Sequence, residues 1–99
     1  MNVTLVYFGG CPNWQEADAR LRAALVATGH DDVVVEHRQV TTAAEAEAVQ
    51  FRGSPTILVD GRDPFLRQDS PVGLSCRVYA TKDGLAGCPT VDDLMSVLT

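Results

Sequence analysis

"VTLVYFGGCPNW", Val3 to Trp14, joins a short apolar run to a glycine pair, a cysteine and a proline. The run Val3 to Phe8 reads as a buried strand, because an unbroken stretch of β-branched and aromatic residues suits a strand covered on both faces. Pro12 fits the first turn of a helix, where its missing N–H is no loss, and that places Cys11 at or beside the N-cap. Downstream, Trp14, Ala17, Leu21, Ala24, Leu25 and Thr28 recur at helical spacing, with Glu16, Asp18, Arg20 and Arg22 mostly on the other side. Gly29 suits the left-handed residue that closes such a helix. "DVVVEHRQV", Asp32 to Val40, is a second β-branched run. Two strands joined by a helix of this length form a right-handed parallel βαβ unit.

The remaining elements follow from local signals. Thr42 with Glu45 is a capping box opening a short Ala-rich helix that ends near Phe51 to Gly53. "PTILVDG", Pro55 to Gly61, is a third strand stopping at an Asp-Gly turn, and Arg62 to Leu74 is polar and turn-rich. "SCRVYA", Ser75 to Ala80, reads as a fourth strand and Lys82-Asp83-Gly84 as a turn. Thr90 with Asp93 caps a last helix through Leu98. The order is βαβ, α, ββα: an α/β fold with a four-stranded mixed sheet flanked by helices, one domain over residues 1–99.

A net charge of −5, from 8 basic and 13 acidic side chains, argues against nucleic-acid or anionic-membrane partners. No apolar run approaches membrane-spanning length, and Val3 to Phe8 lacks the positive lead-in of a signal peptide. The expected location is the cytoplasm, a reducing compartment in which three cysteines argue for a reactive or buried thiol more than for structural disulfides.

The first N–H groups of a helix lack internal partners, and the aligned peptide dipoles make that end partly positive. A thiolate at Cys11 accepting those groups would have its pKa lowered from about 8.5 toward or below neutrality, which turns an ordinary thiol into a nucleophile. Gly9 and Gly10 carry no side chains, so they leave open the approach to sulfur. Trp14 shares the helical stripe of Ala17 and Leu21, which makes it a core residue, a wall beside the thiol, or both.

A strand, then C-P-x-x at a helix start, then G-S-P-T (Gly53 to Thr56) opening a later strand together resemble the thioredoxin superfamily, with the element order agreeing along nearly the whole chain. The resemblance implies that the Ser54–Pro55 peptide is cis and packs against Cys11. It also implies that Ser54 offers backbone hydrogen bonds to an extended peptide or to glutathione. Gly10, Pro12, Trp14, Ser54, Pro55 and Gly87 would then line the substrate groove. Two departures matter: Trp14 stands where thioredoxins have their second cysteine, and Leu5 where they bury an acid. In that fold the fourth strand runs antiparallel to the third, so its far end returns to Cys11. Cys88, in "LAGCPT", would lie there, while Cys76 would be roughly 13–17 Å further away at about 3.3 Å per residue. Cys88 is accordingly the expected resolving thiol, and Cys76 a small buried strand residue. Gly87-Cys88 with Thr90 and Asp92 partly resembles the glutathione-holding loop of glutaredoxins.

"GSPTILVDGRDPF" with "GLSCRVY" also resembles small bacterial thioredoxin-like proteins that sometimes carry the label alkylmercury lyase. Cys11, Cys88 and Asp60 or Asp63 are the groups such chemistry would need. His30 and His37 are expected at solvated positions, and no zinc or phosphate motif is present. The leading expectation is a thiol-disulfide oxidoreductase without a bound cofactor or metal. In it Cys11 attacks a protein disulfide or glutathione mixed disulfide, and Cys88 or glutathione as co-substrate resolves. The alternative is a binding module of the same fold for a peptide or a soft metal ion, a role that the missing second active-site cysteine favours.

Overall fold

The computed structural model describes residues 1–65 and 72–98. In chain order the elements are β1 (Val3–Tyr7), α1 (Trp14–Ala27), β2 (Val35–Gln39), α2 (Ala43–Val49), β3 (Thr56–Val59), β4 (Tyr79–Thr81), β5 (Gly84–Ala86) and α3 (Val91–Leu98). They build a mixed α/β domain with a three-stranded sheet in the order β2-β1-β3 and a separate β4-β5 hairpin. β1 pairs parallel with β2, placing Leu5 opposite His37, and antiparallel with β3, placing Leu5 opposite Ile57.

Side-chain alternation along β1 and β3 divides the core between the two faces of the sheet. Val3, Leu5 and Ile57 pack with Ala17, Leu21, Ala24 and Leu25 of α1 and with Leu94 and Leu98 of α3. Val6 on the opposite face packs with Val40, Ala46 and Phe51, joined by Phe8 and Leu58. The expected helix caps form. The Thr42 hydroxyl accepts from the Glu45 N–H at 3.1 Å, and Thr90 and Asp93 cap reciprocally, each side chain accepting from the other's N–H at 3.1 Å. Asp60 (φ 52°) and Gly61 (φ 80°) turn β3 back so that the Val59 N–H donates to the Arg62 carbonyl at 2.8 Å. Two consecutive positive φ angles define the tight hairpin turn that Asp-Gly favours.

Two expectations are corrected. The helix begins at Trp14, with Asn13 as N-cap, so Cys11 lies two residues ahead of the cap and Pro12 is not the first helical residue. The Cys11 N–H donates back to the Phe8 carbonyl at 3.1 Å, closing a turn over Gly9 and Gly10, and Pro12 and Asn13 form a second turn before the helix. The fourth strand does not extend the sheet either. Among the described residues Ser75 to Arg77 has one strand pairing, the parallel bridge of Cys76 with Ser54, and a segment pinned in that direction cannot lie antiparallel along β3. The short strand that follows, β4, pairs with β5 instead. Within the irregular stretch expected over Arg62 to Leu74, residues 66–71 lie outside the described residues. No helix among the described residues is long and apolar enough to cross a membrane.

Candidate functional site

Cys11 is carried by the turn between β1 and α1 and is only 2% exposed, so Gly9 and Gly10, though themselves exposed, do not open a path to its sulfur. Its thiol donates to the Ser54 carbonyl at 3.4 Å. The Ser54–Pro55 peptide is cis, as the resemblance implied. Ser54 itself is fully buried and every polar atom has a partner within the chain. Its N–H donates to the Ser75 carbonyl at 2.8 Å, its carbonyl accepts from the Arg77 N–H at 2.9 Å as well as from Cys11, and its hydroxyl accepts from the Phe8 N–H at 3.4 Å. The backbone groups expected to face a substrate are therefore occupied by Ser75 and Arg77.

This pairing delivers Cys76 to the site. The residue is exposed, and its thiol is pushed above the ordinary thiol range first by desolvation, then by a hydrogen bond with the Cys11 thiol, then by the Cys11 charge. Cys76 is thus a neighbour of Cys11, where the fold argument put it furthest away, and it is exposed where a buried strand residue was expected. A parallel bridge reverses the segment's direction relative to the expected strand and so exchanges which end meets Cys11.

Cys88 has a different setting. It is 5% exposed and belongs to the cluster formed by α1, α3 and the sheet. Burial pushes its thiol up; Arg20 opposes the shift, while Glu16 and the Cys11 charge add smaller increases. Neighbouring Pro89 is held through its carbonyl, which accepts from Arg20 at 3.1 Å. Gly87 lies flat against the Asn13 side chain, whose Cγ is 2.6 Å from where a Cβ would stand. Trp14 is half-buried at the start of α1, its ring stacked on Tyr7 with centroids 4.2 Å apart and edge-on to His37 at 5.9 Å.

Arg77 is the residue sequence reasoning missed. Only 6% exposed, it reaches Asp63 through both ends of its guanidinium, at 2.5 and 3.3 Å. It also donates to the Phe65 carbonyl and, at 3.4 Å, to the Thr56 hydroxyl, and lies over the Tyr79 ring at 4.7 Å. The Tyr79 hydroxyl donates to the Pro55 carbonyl at 2.5 Å. Gly53 (φ 114°) presses on the same segment, since a Cβ there would stand 2.9 Å from the Arg77 Cβ and 3.1 Å from its Cα. Charge pairing, one tyrosine bond and a glycine contact thus hold Ser75–Arg77 on Ser54.

The other candidates lie elsewhere. Asp63 is engaged by Arg77, and the Asp60 carboxylate accepts from the Asn2 N–H at 2.8 Å, at the end of β3 remote from Cys11. His37 bonds Asp18 at 2.8 Å, whereas His30 is half-buried and docks on the Leu98 carbonyl at 3.0 Å rather than standing in solvent. Among the described residues no group of three or more His, Cys, Asp or Glu side chains could hold a metal ion. Comparison with known proteins finds no family model, no curated protein and no solved structure that matches this chain.

Proposed function

We propose that this chain is a thiol-disulfide oxidoreductase whose reacting pair is Cys11 and Cys76. The observation that carries the reading is the arrival of both cysteines at Ser54, beside the cis Ser54–Pro55 peptide: the Cys11 thiol donates to the Ser54 carbonyl at 3.4 Å and Cys76 is bridged to the Ser54 backbone. In the reduced chain both are free thiols. Two-electron oxidation joins them as a disulfide and releases two protons, while a substrate disulfide takes up the electrons and protons and leaves as two thiols. An external thiol of the glutathione class, in a reducing compartment such as the cytoplasm, restores the dithiol. This pairing supplies within the chain the second sulfur that position 14 lacks. The resemblance to thioredoxin-like proteins, with Pro55 next to Ser54 and Cys11, supports the same chemistry.

The test is disulfide mapping after mild diamide oxidation of the full chain, combined with reduction of insulin and of a glutathione mixed disulfide. The expected product is a Cys11–Cys76 link, and Cys11→Ser is expected to lose turnover. A chain that forms no disulfide involving Cys11, and whose Cys11→Ser variant matches wild type, defeats the reading. A Cys11–Cys88 link would instead restore the pairing expected from sequence.

A further inference from the structure

Ser54 has no free main-chain group to offer an incoming peptide. Its N–H and carbonyl are bonded to Ser75 and Arg77, and between those residues Cys76 stands exposed while Cys11 lies beneath at 2% exposure. A substrate reaching for Cys11 must first displace Ser75–Arg77. That would break the two bonds to Ser54 and disturb an arginine paired to Asp63, with side-chain exposures of 5% and 11%. A substrate reaching for exposed Cys76 need displace none of the bonds to Ser54 or Asp63.

We propose that Cys76 is the thiol that attacks the substrate first and that buried Cys11 resolves, so that the substrates are small or protruding disulfides rather than disulfides in an extended strand gripped by Ser54. The inference rests on the Cys11–Cys76 pairing proposed above. Cys76 gives its proton to solvent and attacks one sulfur of RS–SR′; a Cys76–SR bond forms, the S–S bond breaks, and R′S⁻ leaves and is protonated. Cys11 then releases to solvent the proton it donates to the Ser54 carbonyl and attacks the Cys76 sulfur; the Cys11–Cys76 bond forms, the Cys76–SR bond breaks, and RS⁻ leaves and is protonated from solvent. One disulfide has been reduced to two thiols and the thiol pair oxidised by two electrons. Because attack needs the thiolate and the Cys76 thiol is held above its ordinary range, the first step accelerates as pH rises and is still accelerating at pH 9.0.

The order of attack is read by trapping. Full-length wild type, Cys11→Ser, Cys11→Ala and Cys76→Ser are incubated with oxidised glutathione, quenched in acid and mapped by mass. Both Cys11 variants are expected to keep a glutathione adduct on Cys76. Cys76→Ser is expected to acquire an adduct on Cys11 on the order of tenfold more slowly, because a buried thiol is poorly accessible to the reagent. Wild type is expected to pass to the Cys11–Cys76 disulfide. Substoichiometric iodoacetamide on wild type gives the same order without a substitution, labelling Cys76 before Cys11. Adducts or labelling on Cys11 first, or at equal rates, overturn the order of attack while leaving the Cys11–Cys76 pair standing. No adduct on any variant and no Cys11–Cys76 link in wild type overturn both.

Discussion

Two stretches of chain bring a cysteine toward Cys11, Gly87–Pro89 and Ser75–Arg77, and they hold it by different means. Cys88 is placed by packing: α1, α3 and the sheet enclose it, and its position is as firm as the core around it. Cys76 is placed by a strap, exposed itself but flanked by backbone bonds to Ser54 and anchored by a buried arginine. Packing gives position at the expense of access, because a thiol enclosed by leucines meets no reagent. The strap separates the two requirements, leaving the sulfur in solvent while Arg77, one residue on, carries the positioning inside.

The comparison breaks most sharply at Arg77. Arg77→Ala leaves the part-buried Asp63 carboxylate without its charged partner, a loss of about 3 kcal/mol at the low end for buried pairs, checked by urea unfolding. If the strap places Cys76, the same variant also slows formation of the Cys11–Cys76 disulfide. Gly53→Ala acts on the strap from the other side. A positive φ and a Cβ 3.1 Å from the Arg77 Cα leave no cheap adjustment, and a loss of about 1–3 kcal/mol is expected.

Tyr79→Phe sharpens the comparison by titration. Removing the hydroxyl strips the buried Pro55 carbonyl of this donor, costing about 1–3 kcal/mol at neutral pH. In the folded chain burial holds the Tyr79 phenol well above its ordinary value of 10.0, with Arg77 opposing the shift. Below pH 10 both states bind the proton. Above it the unfolded chain releases the proton first, so stability falls as pH rises from 10 toward the folded value. Wild type is therefore expected to lose stability between pH 10 and 11 more steeply than Tyr79→Phe, as read by denaturant midpoints at each pH.

The parts of the fold legible in the sequence are those made by neighbours along the chain. The Thr42 and Thr90 caps, the Asp60-Gly61 turn and the apolar stripe of α1 each depend on residues within one or two turns, and each forms. The place of Cys76 is not legible in the sequence because it depends on one parallel bridge and on an ion pair spanning Asp63 to Arg77, neither of which leaves a periodic trace. The strand-like run "SCRVYA" even points the wrong way. Its buried residues are Arg77 and Tyr79, while Val78 is exposed, the reverse of what hydropathy predicts. A usable signal was present, since an arginine in a β-branched run needs an acid to be buried, and Asp63 stood in the turn-rich stretch after β3. α1 starts at Trp14, two residues after the proline that suits a first helical position, because Pro12 is as compatible with a turn as with a helix start.

Cys88→Ala has the smallest expected effect and tests the other half of the comparison. Removing one sulfur from a packed site leaves a small void, a loss of about 1 kcal/mol that thermal or urea unfolding resolves. The pairing of Cys11 with Cys76 needs nothing from Cys88 but the integrity of the core. Cys88→Ala should therefore form the Cys11–Cys76 disulfide at the wild-type rate while unfolding slightly earlier. If the rate collapses with stability nearly unchanged, Cys88 takes part in the exchange and the core thiol has a route to Cys11. Burial is the largest of the influences that raise the Cys88 thiol and the charge of Cys11 the weakest, as expected of a thiol that fills space. Measuring both quantities on one variant separates a thiol that fills space from one that reacts.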